Sequence, residues 1–145
     1  MAVLRLDNVG IVVDDLEAAT AFFVELGLEV DGEGSVEGPW VDHCIGLDDA
    51  RADIVMVKTP DGHSRLELTK FRSPAAIDPE ASAPANALGI RRIMFAVDDI
   101  DDVVARLLGH GGELVDEVVQ YEDQYRLCYV RGPGGMIVAL AEALR

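Results

Sequence analysis

The stretch GIRRIMFAVDD, residues 89–99, sets two adjacent arginines at the mouth of an apolar run, Ile93 to Val97. Such a run reads as a buried strand, and side chains alternate across a strand. Arg91 then shares a face with Ile93, Phe95 and Val97, and Arg92 shares the other with Met94 and Ala96. Both faces are apolar, so at least one guanidinium is expected to point inward. A buried guanidinium keeps its proton and needs a partner. A carboxylate, of the protein or of a ligand, pairs with it through two parallel hydrogen bonds.

Two further clusters carry groups with chemistry. His43, in GPWVDHCIGL, neighbours Asp42, Cys44 and Trp40, the only tryptophan. On a strand, residues i and i+1 face opposite sides, so His43 and Cys44 are not expected to act as a nucleophile pair. Tyr121, Tyr125, Arg126 and Tyr129 cluster in QYEDQYRLCYV. Tyr125 and Tyr129 share one strand face and Arg126 takes the other, and aromatics with an arginine can line a small-molecule pocket. His63, in the PDGH turn, and His110, near a helix end, are expected at the surface. The chain has no Gly-rich phosphate loop and neither a GxSxG nor an HExxH motif.

These residues sit in a repeated plan. Residues 6–30 can be laid on residues 90–114 without a gap, at a constant offset of 84. Val13/Val97, Asp14/Asp98, Asp15/Asp99, Ala21/Ala105, Gly27/Gly111 and Glu29/Glu113 then coincide, which indicates a duplicated unit. Each copy opens on a β-branched strand, residues 8–13 and 92–97. Asp14 and Asp98 fit the N-caps of the following helices, with Glu17 and Asp101 three residues later. Leu16, Ala19, Phe23 and Leu26 form one helical stripe, and Ile100, Val103 and Leu107 form the other. Gly27 and Gly111 sit where a left-handed C-terminal residue is wanted. Later strands are expected at 52–60 and 64–71 around PDGH, and at 125–133 and 136–142 around PGG. Val36 to Ile45 reads as a further strand. Residues 71–89 hold three of the six prolines and many alanines, as a linker does.

Composition narrows the function classes. At 145 residues the chain has the size of one ordinary domain, and 50% hydrophobic residues allow a real core. A net charge of −15 argues against nucleic acid and anionic membrane partners, both of which need a basic footprint. Cys44 and Cys128 lie far apart and form no CxxC pair, as expected of reduced, mostly buried thiols in a cytoplasmic protein. The N-terminus lacks a signal-peptide pattern, and the run MIVALA at 136–141 is too short to span a bilayer.

The duplicated module, with its strand ending in V-D-D and its final strand after a Pro-x-Gly turn, resembles the vicinal oxygen chelate superfamily. Members include glyoxalase I, methylmalonyl-CoA epimerase, extradiol dioxygenases, and fosfomycin- and bleomycin-resistance proteins. The resemblance spans about residues 4–144. It implies an α+β fold, with two β-α-β-β-β modules forming a cupped, roughly eight-stranded mixed sheet around a small-molecule pocket. The chain would be a single domain of module 1 (4–71), linker (72–88) and module 2 (89–144), and often a homodimer.

Metal enzymes of this family hold a divalent ion with His, Glu or Gln on the first and last strands of each module. The resemblance puts Asn8 and Arg92 at the first-strand positions and Glu67 and Ala139 at the last-strand positions. Only Glu67 is a good ligand, since Asn8 offers one amide oxygen, Arg92 cannot ligate and Ala139 has no donor. The expectation is therefore no metal and no cofactor, with a weak metal at Glu67 left open. If the family geometry carries over, Glu67 faces Arg92 across the former metal site.

The expected function is metal-independent binding, or acid–base transformation, of a small molecule that is anionic if Arg92 anchors it. Glu67 would be the base, and Asn8, Arg92, His43 and Tyr125 would contact the ligand. One alternative is a divalent-metal lyase or epimerase resembling lactoylglutathione lyase or methylmalonyl-CoA epimerase. The other is a drug-sequestering protein. An enzyme would be a lyase or isomerase of the glyoxalase type.

Overall fold

A computed structural model describes residues 2–77 and 82–144. The chain divides into two compact units, Met1–Asp78 and Pro79–Arg145.

Unit 1 runs β1 (Val9–Val12), α1 (Leu16–Leu26), β2 (Glu29–Glu37), α2 (Pro39–Ile45), β3 (Arg51–Lys58) and β4 (Arg65–Ser73). Its four-stranded sheet has the order β1-β4-β3-β2, with β1 parallel to β4 and the other pairs antiparallel. The alternation along the strands sends Val13, Leu66, Leu68, Val55 and Val57 to one face, all at most 5% exposed. Against that face α1 buries Ala19, Phe22, Phe23 and Leu26. Phe22 and Phe23 meet edge to face, with centroids 5.2 Å apart. Each fully buried side chain of this size contributes roughly 1.5–3 kcal/mol.

Unit 2 runs β5 (Arg92–Val97), α3 (Ile100–Leu108), β6 (Glu113–Leu114), β7 (Val119–Tyr121), β8 (Tyr125–Arg131) and β9 (Ile137–Ala143). The order is β5-β9-β8-β6, with β7 also on β8 and β5 parallel to β9. Here α3 buries Ile100, Val103, Val104 and Leu107, on the face that carries Cys128, Val130, Val138 and Leu140.

The duplicated strand–helix plan is therefore observed, as two separately hydrogen-bonded mixed sheets. Several boundaries differ from the sequence reading. The N-caps are Asp15 and Asp99, one residue after the expected pair; their carboxylates accept from the N–H groups of Ala18 (2.9 Å) and Asp102 (3.1 Å). Both are extended, the conformation an N-cap takes, and leave Asp14 and Asp98 outside the helices. Gly27 has the positive φ expected of it, 123°. The second helix ends sooner, at Leu108, and Gly111 takes its positive φ beyond that end. Gly112 then returns its N–H to the Leu107 carbonyl at 2.9 Å, and a Cβ there would lie 2.8 Å from the same oxygen.

The expected strand over 36–45 is a correction. Only Val36 and Glu37 belong to β2, and Pro39–Ile45 is helical. Pro39 suits a first helical turn, and Gly46, at φ 74°, closes it by donating to the Asp42 carbonyl. The Asp42 carboxylate accepts from the N–H groups of Ala50 (2.8 Å) and Asp49 (3.2 Å), which ties the helix to the start of β3. The expected linker also begins late, because Arg72 and Ser73 finish β4. Within that linker, residues 78–81 lie outside the described residues, and its other residues from 74 onward are in neither helix nor strand.

Candidate functional site

In unit 1, Gly10 pairs with Glu67 and Glu67 with Met56, so Glu67 leaves the sheet on the face opposite α1. Asn8 precedes β1 by one residue, and the alternation continued from Gly10 and Val12 puts it on the same face. Both residues are half-buried. The Asn8 amide donates to Asp7 at 3.4 Å. Arg65, also on this side of β4, is engaged elsewhere: its Nε lies 3.0 Å from Asp31, which Lys58 approaches to 3.5 Å. The Arg65 hydrogen bond, aided by Lys58, holds the Asp31 carboxyl below its ordinary range. Glu67 pairs with no cation of its own unit among the described residues.

In unit 2, β5 alternates exposed and half-buried residues, and Arg92, Met94 and Ala96 are the exposed set. Arg92 pairs in register with Ile137, and Met94 with Ala139. Across β9, Ala139 pairs with Tyr129 and Ile137 with Arg131. Paired residues share a face, so Arg92, Met94, Ala139, Tyr129, Arg131 and, farther along β8, Tyr125 all belong to the side away from α3. The Arg92 guanidinium lies over the Tyr129 ring, 5.5 Å from its centroid. It pairs with no carboxylate of its own unit among the described residues. Such a stack orients the fork and leaves its edge donors for an incoming anion. The other arginine of the pair, Arg91, is half-buried, and its Nε is buried with no hydrogen-bond partner among the described residues.

The remaining predicted residues divide. Tyr125 opens β8 and is 43% exposed, on the Arg92 side of the sheet. His43 lies on α2 rather than a strand and is exposed. Since α2 packs on β2, with β3 between β2 and β4, the structure does not bring His43 to Glu67. Cys44 is an exposed, unpaired thiol, against the expectation of burial. Cys128 is buried and unpaired, and burial pushes its thiol pKa up. Arg126, on the helix side of β8, makes a bidentate pair with Asp101 at 2.6 and 2.9 Å. That pair holds the Asp101 carboxyl below and the Arg126 guanidinium above their ordinary values.

Arg131 is the residue that the sequence reading does not single out, and the match of Tyr129, a member of the tyrosine cluster, with Arg92 is the contact it does not contain. The signal for both is the strand order β5-β9-β8, which no local pattern contains. A surface pocket of about 340 Å³ opens between the ends of β2, β3 and β4 and includes Asp53 and Arg72. Its charges are already paired: Asp53 accepts from Ser35 (2.7 Å) and Arg72 (2.8 Å), which holds its carboxyl low. No predicted site residue lines it.

Neither unit by itself offers a divalent-metal ligand set at these positions. Unit 1 has one carboxylate and one amide, and unit 2 has a methyl group at Ala139 and a cation at Arg92. Among the described residues, no group of three or more His, Cys, Asp or Glu side chains could hold an ion. No helix among them is long and apolar enough to cross a membrane.

Residues 5–140 match the model of the Glyoxalase/Bleomycin resistance protein/Dioxygenase superfamily. The chain is 52% identical to a crystal structure of a glyoxalase family protein from Bacillus cereus, covering 100% of this chain and 99% of that one, with a TM-score of 0.95. It is 27% identical to the uncharacterised protein YaeR of Escherichia coli K12 over 95% of each chain. TnmS3, an antibiotic-binding protein from Streptomyces, shares the fold at 20% identity and a TM-score of 0.60, covering 99% of this chain and 98% of that one.

Proposed function

From the premise that this chain belongs to the glyoxalase/bleomycin-resistance/dioxygenase superfamily, we propose that it binds a small anionic molecule with Arg92 as the anchor and without a divalent metal. The observation that carries this reading is the exposed Arg92, its guanidinium held on Tyr129 on the sheet face away from α3 with no carboxylate of its own unit on it. Tyr125 lines the aromatic end of this face. In unit 1, Glu67 and Asn8 are the polar candidates for ligand contact, with Glu67 the candidate base. The donor set supports the absence of a metal step. The two unpaired thiols support a cytoplasmic location, and the family resemblance supports a homodimer. A sequestering role is the second reading, favoured by the fold shared with the antibiotic-binding protein TnmS3.

The test is calorimetric titration of small carboxylates into wild type and Arg92→Met, with metal analysis and Ni, Zn and Mn titration of wild type and Glu67→Ala. Carboxylate binding that disappears in Arg92→Met supports the anchor. Stoichiometric metal that is lost in Glu67→Ala would sink the metal-free reading and call for a glyoxalase assay. Turnover of a bound ligand separates an enzyme from a sequestering protein.

A further inference from the structure

We propose that Arg131 is a second anion-binding side chain on the Arg92 face, and that the ligand is a small dicarboxylate held between the two guanidinium groups. This rests on the reading of Arg92 as an anchor and extends it to the substrate class.

Arg92 and Arg131 pair with the same residue, Ile137, from opposite sides of β9. Both therefore leave the sheet on one side, with their Cα atoms two strand spacings apart, about 10 Å. The reach of two arginine side chains lets the guanidinium groups stand at the separation of the ends of a short dicarboxylate. Each group is oriented by an uncharged partner. Arg92 rests on the Tyr129 ring, and Arg131 donates Nη1 to the Gly135 carbonyl at 2.9 Å. Neither contact neutralises the charge, and each leaves donors on the fork.

The chain has 27 acidic residues against 12 basic ones. Arg5, Arg51, Arg65, Arg72, Arg106 and Arg126 each meet a carboxylate. Arg92 and Arg131 make no such pair among the described residues of their unit, even though Glu113 stands opposite Arg131 in the ladder. In a protein so rich in acid, two oriented arginines that avoid its carboxylates are placed for carboxylates from outside. Met94, 49% exposed and beside Arg92, gives the spacer of such a ligand an apolar surface.

Calorimetric titration at low ionic strength tests this with malonate, succinate, glutarate and adipate against butyrate. The proteins are wild type, Arg92→Met, Arg131→Met and Arg131→Lys, each checked for an unchanged fold by circular dichroism. In wild type, one of the dicarboxylates should bind about tenfold or more tighter than butyrate, the gain expected of a second charge-assisted pair. That ratio should fall to near one in Arg131→Met and be partly kept in Arg131→Lys, which retains the charge but not the fork. A ratio near one in wild type, a ratio unmoved by Arg131→Met, or inorganic phosphate binding as tightly as any dicarboxylate would overturn the proposal. Butyrate binding that requires Arg92, with no gain for any dicarboxylate, would defeat this inference and leave the anchor standing. No carboxylate binding at all would defeat both.

Discussion

The two units share a β-α-β-β-β plan and differ most on the sheet face away from the helix. Unit 1 sets Glu67 opposite Gly10, with Asn8 beside them, so its polar groups are an acid and an amide. Unit 2 has a fully buried Ala139 where unit 1 has Glu67, and Arg92 where unit 1 has Asn8. A metal-ligating pair of modules would repeat its donors. These two differ in charge instead: an acid and an amide in unit 1, a cation and no donor in unit 2. The helix sides diverge too. Unit 1 fills its core with an aromatic pair, and the buried side chains of unit 2 are aliphatic apart from Cys128.

Each difference can be broken. The largest effect is expected in the cores: Phe23→Ala should cost about 4 kcal/mol and Leu107→Ala about 3 kcal/mol, read from urea denaturation. Equal losses would remove the aromatic distinction. Next, Ala139→Glu gives unit 2 the acid that unit 1 has. Burial of that carboxylate should destabilise by about 2 kcal/mol, and by more in an Arg92→Met background that removes the adjacent cation. If the two substitutions are simply additive, Arg92 does not reach the Ala139 position.

A pH series sharpens the comparison of the helix sides. Asp101 is held below its ordinary value by Arg126, so this pair stabilises the fold above the unfolded carboxyl pKa, near pH 4. The contribution fades as pH falls through the lower folded value. Asp101→Asn should therefore be less stable than wild type at pH 7, with the gap closing as pH falls through that lower value; a gap that persists once the carboxyl is protonated would point to packing instead. The smallest effects belong to the caps. Asp15→Ala should cost about 1 kcal/mol. Asp99→Ala should cost about half of that, because the Glu142 carboxylate also accepts from the first turn of α3, at Ile100 N–H, 2.8 Å. Thermal melts of the two variants against Glu142→Gln decide whether that second acceptor matters.

Much of the fold is legible in the sequence because its signals are local. A short apolar, β-branched run marks β5, the helical stripe marks α1 and α3, and Pro-x-Gly marks both hairpins. The misplaced caps have an equally local cause: two adjacent aspartates, at 14–15 and 98–99, offer the helix two acceptors, and backbone conformation chooses the second. The helix over Pro39–Ile45 was hidden because Val36, Trp40, Val41 and Ile45 scatter apolar character without a clear period, although Pro39 and Gly46 do bracket it. Arg92 and Glu67 could be singled out from the repeat and the resemblance. The stack of Arg92 on Tyr129 and the shared neighbour of Arg92 and Arg131 could not, because both depend on β9 entering between β5 and β8.

Gly112 marks a position with almost no freedom to vary. Any side chain there would press on the Leu107 carbonyl that the residue's own N–H binds, and on Val130, 3.1 Å away. Neither the helix end nor the β8 core can retreat cheaply. In a library that samples all twenty amino acids at every site, residue 112 should return as glycine alone, beside neighbours that accept many replacements. A descendant of this chain that lost that glycine would first have to rebuild the end of α3.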